Sequence, residues 1–434
     1  MAITYGNTDI PSARVTVRSG GTIAISAAFS NTAGLVGVMD TDNGEATTGE
    51  TISINSSSDA ETQFGETSEL TEQVKLAFGN DTSTVYACPV SETEETETFD
   101  TVSSGTFSNV PALDPTVQPN HEITAQDTTE GASVTVNIVR EEGEDIASPT
   151  DANTINLNPN TGEWEADESS TYEITYTHGS YNEAIRGVVS KVPRQVGVCT
   201  ENNQIVGELG TQLSDYANDF GFMHGAFGLN PEVDSATYTN SYDDRRLIAI
   251  APSRAYLDAA NENMVRTVGA VVGKQASKDL GDSTTYETVA GFADLHTKYT
   301  NSELGTLIDE QVLTLRQGGG IKIVKDMTTS TDPRFERIFA SEITDEATEI
   351  SHQISQGYVG EANTLTNQKS LGESHDSSYS EMEDDALLDN FDVGVSEGGD
   401  NQVDLDIALD IVDVIDTVDV TITVGDVIRN GGAS

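Results

Sequence analysis

Residues 315 to 326 read "LRQGGGIKIVKD": three consecutive glycines, Gly318 to Gly320, lie between an apolar run and an alternating one, with Arg316, Lys322 and Lys325 around them. Basic residues beside glycines suit a phosphate-cradling loop. Such a loop runs strand, glycines, helix, so that amide donors at the helix amino terminus reach the anion. The order here is the reverse. Upstream, Thr300 and Glu303 form a capping box, and Leu304, Leu307, Ile308, Val312 and Leu315 recur at helical spacing, which predicts one helix over 302–317 stopped by Gly318. Downstream, "IKIVKD" alternates as a strand and no Lys-Ser or Lys-Thr pair follows. The glycines are therefore read as a turn. Beyond them, Asp332 and Pro333 are placed to open a helix over 333–357, with Phe335, Ile338, Phe339, Ile343, Ala347, Ile350 and Ile354 facing inward.

Working outward from this turn, the same alternation of helices and strands recurs. "RLIAIAPS" at 246–253 is an apolar strand, and Ile205, Leu209, Leu213, Tyr216, Ala217 and Phe220 form a helical stripe. Near the beginning, "RVTVR" at 14–18 puts Val15 and Val17 on one face and Arg14, Thr16 and Arg18 on the other. "GTIAISAAF" and "GLVGVMD" continue the strand signal, Leu70, Val74, Ala77 and Phe78 mark a helix, and "STVYACPV" is another buried strand. From Ser91 the composition shifts to Thr, Glu, Ser, Asn and Gly, with short alternating segments such as "ASVTVNIV", "NTINLN" and "YEITYTH", so residues 91–190 read as a β-sandwich-like insertion. Near the end, "LGESHDSSYSEMEDD" reads as a polar connector. It leads to strands in which Val403, Leu405, Ile407 and Leu409 oppose Asp404, Asp406 and Asp410, a period repeated by Val418, Val420, Ile422 and Val424. The fold class is α/β (α+β) and multidomain. Its expected parts are an amino-terminal arm at 1–20, a discontinuous core of mixed sheets and helices at 21–90 and 191–400, the insertion between them, and a carboxyl-terminal β arm at 401–434.

Composition narrows the function. The 434 residues carry 73 Asp and Glu against 21 Lys and Arg, a formal charge of -52 spread along the chain. At molar salt the Debye length falls to roughly 3 Å, which removes most of the self-repulsion of such a surface, so the balance suggests adaptation to high salt. It also argues against nucleic acid as a partner, because phosphate contacts need clustered bases. The amino terminus does not read as a secretory signal, and no apolar run approaches the roughly 20 residues of a membrane span. Cys88 and Cys199 read as buried free thiols. Six scattered histidines lack metal-ligand spacing, the acid runs lack a calcium loop, and His224 in "GFMHGAFG" has no nucleophile motif beside it and reads as an ordinary histidine. No catalytic, metal or cofactor site is expected.

In its order of elements, the region from 246 to 360 resembles the core of contractile tail sheath proteins. Gly318 to Gly320, Ile321, Ile323, Thr328, Thr329, Arg334, Arg337 and Ile338 match that family's glycine turn, strand, Thr-containing loop and long helix. "AFGNDTSTVYACPV" resembles its segment before a variable insertion, whereas its amino-terminal "PGVYV"-like signature has only "IPSARVTVRSGG" as a counterpart. The resemblance implies a non-enzymatic, cofactor-free subunit stacked in six-membered rings around an inner tube protein, with baseplate and terminator proteins at the ends. It would be assembled in a host cytoplasm, into a virion tail or contractile injection particle, without membrane insertion. It further implies strand exchange between copies through the arms. The expected pairing residues are Arg14, Val15, Val17 and Arg18 with Val403, Asp404, Leu405, Asp406, Ile407, Val418, Val420 and Ile422, and the candidate tube-facing residues are Arg334 and Arg337. A surface-layer or adhesin-like β-rich protein is the alternative.

Overall fold

The computed structural model describes residues 3–5, 15–17, 31–115, 122–139, 146–399 and 402–414. A short antiparallel hairpin comes first, β1 (Ile3–Tyr5) with β2 (Val15–Val17). Then follow β3 (Thr32–Gly37), β4 (Ile52–Ile54), α1 (Ser57–Phe64), α2 (Glu69–Phe78) and β5 (Thr84–Pro89). The β-rich stretch holds β6 (Ser91–Thr106), β7 (Thr124–Asp127), β8 (Ala132–Ile138), β9 (Thr154–Leu157) and β10 (Glu163–Ser180). After it the chain returns through α3 (Tyr181–Val189), β11 (Gln195–Val198), α4 (Asn203–Asn218), β12 (His224–Gly228) and β13 (Leu247–Ala251). A small sheet of β14 (Arg254–Tyr256), β15 (Met264–Arg266) and, further on, β17 (Asp294–Leu295) brackets α5 (Val268–Ala276) and β16 (Thr288–Val289). Last come α6 (Asn301–Asp309), β18 (Val312–Gln317), β19 (Ile321–Ile323), α7 (Ile338–Gln356), α8 (Leu365–Asp384), β20 (Leu388–Gly399) and β21 (Gln402–Ile411).

The centre is a nine-stranded sheet in the order β16-β19-β18-β13-β12-β11-β3-β5-β4. Its six middle strands, from β18 to β5, are parallel, and the outer ones are antiparallel. Parallel strands covered on both faces read as unbroken apolar runs, which is why "LIAIA" is buried throughout. The pleat divides that run. Ile248 and Ile250 join the core under α1, α2 and α5, while Leu247, Ala249 and Ala251 join the opposite core under α3 and α4.

The glycine stretch is a hairpin turn. Helix α6 begins at the expected capping box, yet it ends at Asp309, and Val312–Gln317 is a strand paired with β13 on one side and β19 on the other. The single helix over 302–317 is corrected accordingly. Val312 to Leu315 are buried on both faces, so their apolar spacing carries no strand period. Gly319 and Gly320 have φ of 67° and 118°, values a side chain resists, and Gly318 N donates to Gly320 O at 2.7 Å. Arg316 reaches Asn301 and Lys325 reaches Glu336, so the bases do not converge on an anion site.

Three further expectations change. The helix over 333–357 starts at Ile338, because Asp332 is used in a turn that accepts from Arg334 N. The polar connector is α8, capped by Thr364, with Leu371, His375, Tyr379 and Met382 buried. The insertion is one bent sheet instead of a sandwich. The long β10 pairs with β9 through Trp164–Ala166 and with β7 through Tyr172–Thr175, so that β7, β8 and β9 close back upon it, while β6 lines its other edge. A register shift between Glu165 and Tyr172 supplies the bend, and the enclosed aromatics fill the interior: Phe107 stacks on Tyr176 at 3.9 Å and Trp164 meets Tyr172 edge-on at 5.5 Å. Cys88 and Cys199 are buried free thiols, and no helix among the described residues is long and apolar enough to cross a membrane.

Candidate functional site

The carboxyl-terminal hairpin presents paired backbone at its edges. Strands β20 and β21 pair only with each other among the described residues, so both outer edges are without a strand partner. Alternation sorts their side chains. Phe391 opposes Leu409, Val393 opposes Ile407 and Val395 opposes Leu405, all half-buried on one face. The other face is anionic: Asp392, Asp404, Asp406 and Asp410 are exposed. Across the pair, Asp404 lies opposite Ser396, Asp406 opposite Gly394 and Asp410 opposite Asn390, so no two acids oppose directly and the repulsion such a pair would add is avoided.

This hairpin rests on α7 and α8. Phe339, Ile343, Ala347 and Ile350 of α7 pack with Tyr379 and Met382 of α8 and with Leu388, and Phe391, Val393, Ile407 and Leu409 cover that cluster. Tyr379 and Ser351 share a hydrogen bond between the helices.

Helix α7 is anchored in turn by ion pairs across the amino ends of β11, β12 and β13. Glu342 accepts from Arg194 Nε at 3.0 Å and Nη2 at 2.8 Å, and from Gln195 at 2.9 Å. Asp345 accepts from Arg246 Nη1 at 2.5 Å and Nη2 at 2.8 Å, and from Arg245 as well. Burial works to raise the Asp345 carboxyl, and the two guanidiniums outweigh it and hold the group below the usual carboxylate range. Phe335 lies 4.8 Å from the Arg245 guanidinium and Phe222 lies 5.0 Å from that of Arg246, supplying cation–π contacts. His224 is wholly buried, 3.0 Å from Ser341 Oγ, and burial pushes its imidazole down to about 4. A histidine held neutral this way is a core residue, not a base poised for catalysis.

The expected assembly residues fall in several places. Val403, Leu405 and Ile407 line the half-buried face of β21, with Asp404 and Asp406 on its exposed face. In the single chain, Val15 and Val17 pair with Tyr5 and Ile3 of the same molecule. Arg14, Arg18, Val418, Asp419, Val420 and Ile422 lie outside the described residues. Arg334 is exposed and bonded to Asp332. Arg337 is buried, and its guanidinium is committed to Asp326, Ser283 and Thr285, so within this chain it is a packing residue. Sequence reasoning missed β20 as the partner of β21, and it missed α8 beneath them. The signal for α8 was present: Leu371, His375, Tyr379 and Met382 follow one another at intervals of 4, 4 and 3.

With this geometry in place, the relatives can be compared. A family model described as "DUF2586, N-terminal domain" matches residues 26–304. A search of curated proteins finds no match. Among solved structures, the helical sheath of the anti-feeding prophage in its contracted state is similar with a TM-score of 0.57 and 11% identity, covering 96% of this chain and 99% of that one. The contracted sheath complex of an extracellular contractile injection system, PVC, gives a TM-score of 0.56 at 11% identity and covers 96% and 98%. A sheath tail protein from Desulfitobacterium hafniense gives 0.53 at 12% identity and covers 88% and 93%. At these identities the likeness establishes the sheath protein fold and leaves the activity to be argued from the site.

Proposed function

The chain belongs to the DUF2586 family, and from that membership and the sheath fold we propose that it is a structural subunit that polymerises helically around an inner tube and contracts. The observation that carries this reading is the terminal hairpin: a long β pair seated on α7 and α8, with no strand partner on either outer edge among the described residues and an acidic outer face. Open edges accept strands from other chains through main-chain hydrogen bonds, while the body behind them moves as a unit. Contacts of this kind are heterologous and do not close upon themselves, so they propagate as a helix.

In this reading the amino-terminal strand leaves its partner and adds to the hairpin of a neighbouring copy. Arg14 and Arg18 then meet the acids of β21, Asp404 and Asp406, and the 418–424 stretch extends a second neighbour's sheet. Each cross-strand charge pair contributes about 0.2 to 1 kcal/mol, less in molar salt, which favours register without freezing the lattice. The insertion lies on the outer surface, the particle is a virus tail or a contractile injection device assembled in a cytoplasm, and baseplate and tube proteins are its partners. Contraction draws on energy stored at assembly, so the reading requires neither a catalytic residue nor a cofactor.

Electron microscopy of the purified chain in molar salt tests this. Striated hollow cylinders are expected, together with their loss when Arg14 and Arg18 are both changed to Glu. A chain that stays monomeric across salt and concentration would overturn the reading, and cylinders that persist in the double variant would remove the charge pairing alone.

A further inference from the structure

In an open doubly wound sheet, ligands bind outside the carboxyl ends of the strands, where the strand order reverses. Here that reversal falls between β3 and β11, since β5 lies on one side of β3 and β11, β12, β13 and β18 follow on the other. The crevice is filled by the chain's own side chains. Glu201, three residues past the end of β11, accepts from Arg254 Nε at 2.9 Å and from Arg266 Nε and Nη2 at 3.0 and 2.8 Å. Arg266 also reaches Glu69 in the first turn of α2. The fifth member, Asp114, comes from the β-rich insertion and lies 3.2 Å from Arg254 Nη2. All five side chains are buried.

Besides this contact, the insertion is joined to the core by the two chain crossings, at Val90 and at Ser180, and by the Asn202–Asn160 hydrogen bond. Asp114 sits on a third strut. Ala112 N donates to Pro159 O and Leu113 N to Thr177 O, each at 2.8 Å, which ties residues 112–114 to the insertion. Leu113 packs in the core beneath α3, and Asn202 reaches back to Asn160 O at 2.6 Å. We propose that Asp114 is a latch: its carboxylate occupies the place an anionic ligand takes in related sheets, and its pairing with Arg254 locks the insertion to the core as one rigid body. Two guanidiniums face three carboxylates in the cluster, so an amide at position 114 leaves two of each, and the core half of the network stays intact.

Hydrogen exchange on the full-length chain tests the latch independently of whether the chain polymerises. In Asp114→Asn, the roots of β6 and β10 and residues 107–115 are expected to exchange at least about tenfold faster, with α2 and α5 unchanged, as expected when one sub-global unit opens and the rest stays closed. Asp114→Glu keeps the carboxylate and is expected to stay within about threefold of the natural chain. Unchanged exchange in Asp114→Asn overturns the proposal. So does a loss of protection that includes α2 and α5, because Asp114 would then support the whole fold and not the joint.

Discussion

Helices α5 and α7 both dock on the central sheet, and they are held there by opposite means. Helix α5 meets α2 through backbone contact and uncharged hydrogen bonds, Gln73 Oε1 accepting from Gly269 N at 2.8 Å and Gln73 Nε2 donating to Arg266 O at 3.0 Å. A methyl group at Gly269 would lie 2.4 Å from Gln73 O, and one at Gly273 would lie 2.5 Å from Ala77 O, so the two backbones touch where only glycine fits. Helix α7 instead presents Glu342 and Asp345 to buried arginines and Ser341 to His224. Close backbone packing excludes any added side chain, whereas a buried guanidinium and carboxylate are costly to desolvate and gain most when aligned as bidentate pairs. The difference teaches that α5 is fixed by shape and α7 by register. Register matters for α7 because the terminal hairpin rests on it, and an error at its base would misplace both strands.

The largest expected effect breaks that contrast at its ionic side. Asp345→Ala leaves Arg245 and Arg246 buried without their carboxylate, which is expected to cost about 3 to 5 kcal/mol in denaturant unfolding. A loss below about 1 kcal/mol would mean that the seat is not ionic. At the close-packed, uncharged side, Gly273→Ala forces backbone apart and is expected to cost up to about 3 kcal/mol. Because no charge is involved, this cost should be the same at low and molar salt.

Acid sharpens the comparison. His224 titrates near 4 in the folded chain and near 6.5 when unfolded, so between those values the unfolded chain binds more protons. Its contribution is complete above about pH 6.5 and is lost as the pH falls through about 4, amounting to about 2 kcal/mol between pH 7 and pH 5. A stability profile that is equally steep in His224→Gln would assign the loss elsewhere. The smallest effect is expected on the exposed face of the hairpin, where Asp406→Asn should change monomer stability by no more than about 0.5 kcal/mol. If assembly also proves indifferent to Asp406→Asn, the acidic face is only a solubilising surface.

Much of the sheet was legible beforehand because local pattern carried it. "RLIAIAPS", the stripe on α4, the capping box of α6 and the alternation of β21 appear where their residues predict them. The site was legible only in part. Val403, Leu405 and Ile407 were readable from their alternation, whereas β20, with Gly394, Gly398 and Gly399 in its run, hid as a polar stretch. The arginines gave no sign of their roles. Arg337 looked like a surface residue on a helix and is buried on Asp326, 11 residues away, and Arg266 meets Glu69 across 197 residues of chain.

By itself the sequence determined the alternation of helices and strands, the β character of the stretch after Ser91, the acidic shell and the period-2 strand near the end. Each of these follows from a residue's own chemistry and its nearest neighbours, because one-sided burial leaves a period of 3.6 or 2 in the chain. Tertiary structure decided that Val312–Gln317 is a strand, that the insertion curls into one closed sheet, and that six of the scarce basic residues, Arg194, Arg245, Arg246, Arg254, Arg266 and Arg337, are spent inside on carboxylates. Two-sided burial erases the period, and an ion pair between distant segments leaves no local trace, so only folding brings those partners within reach.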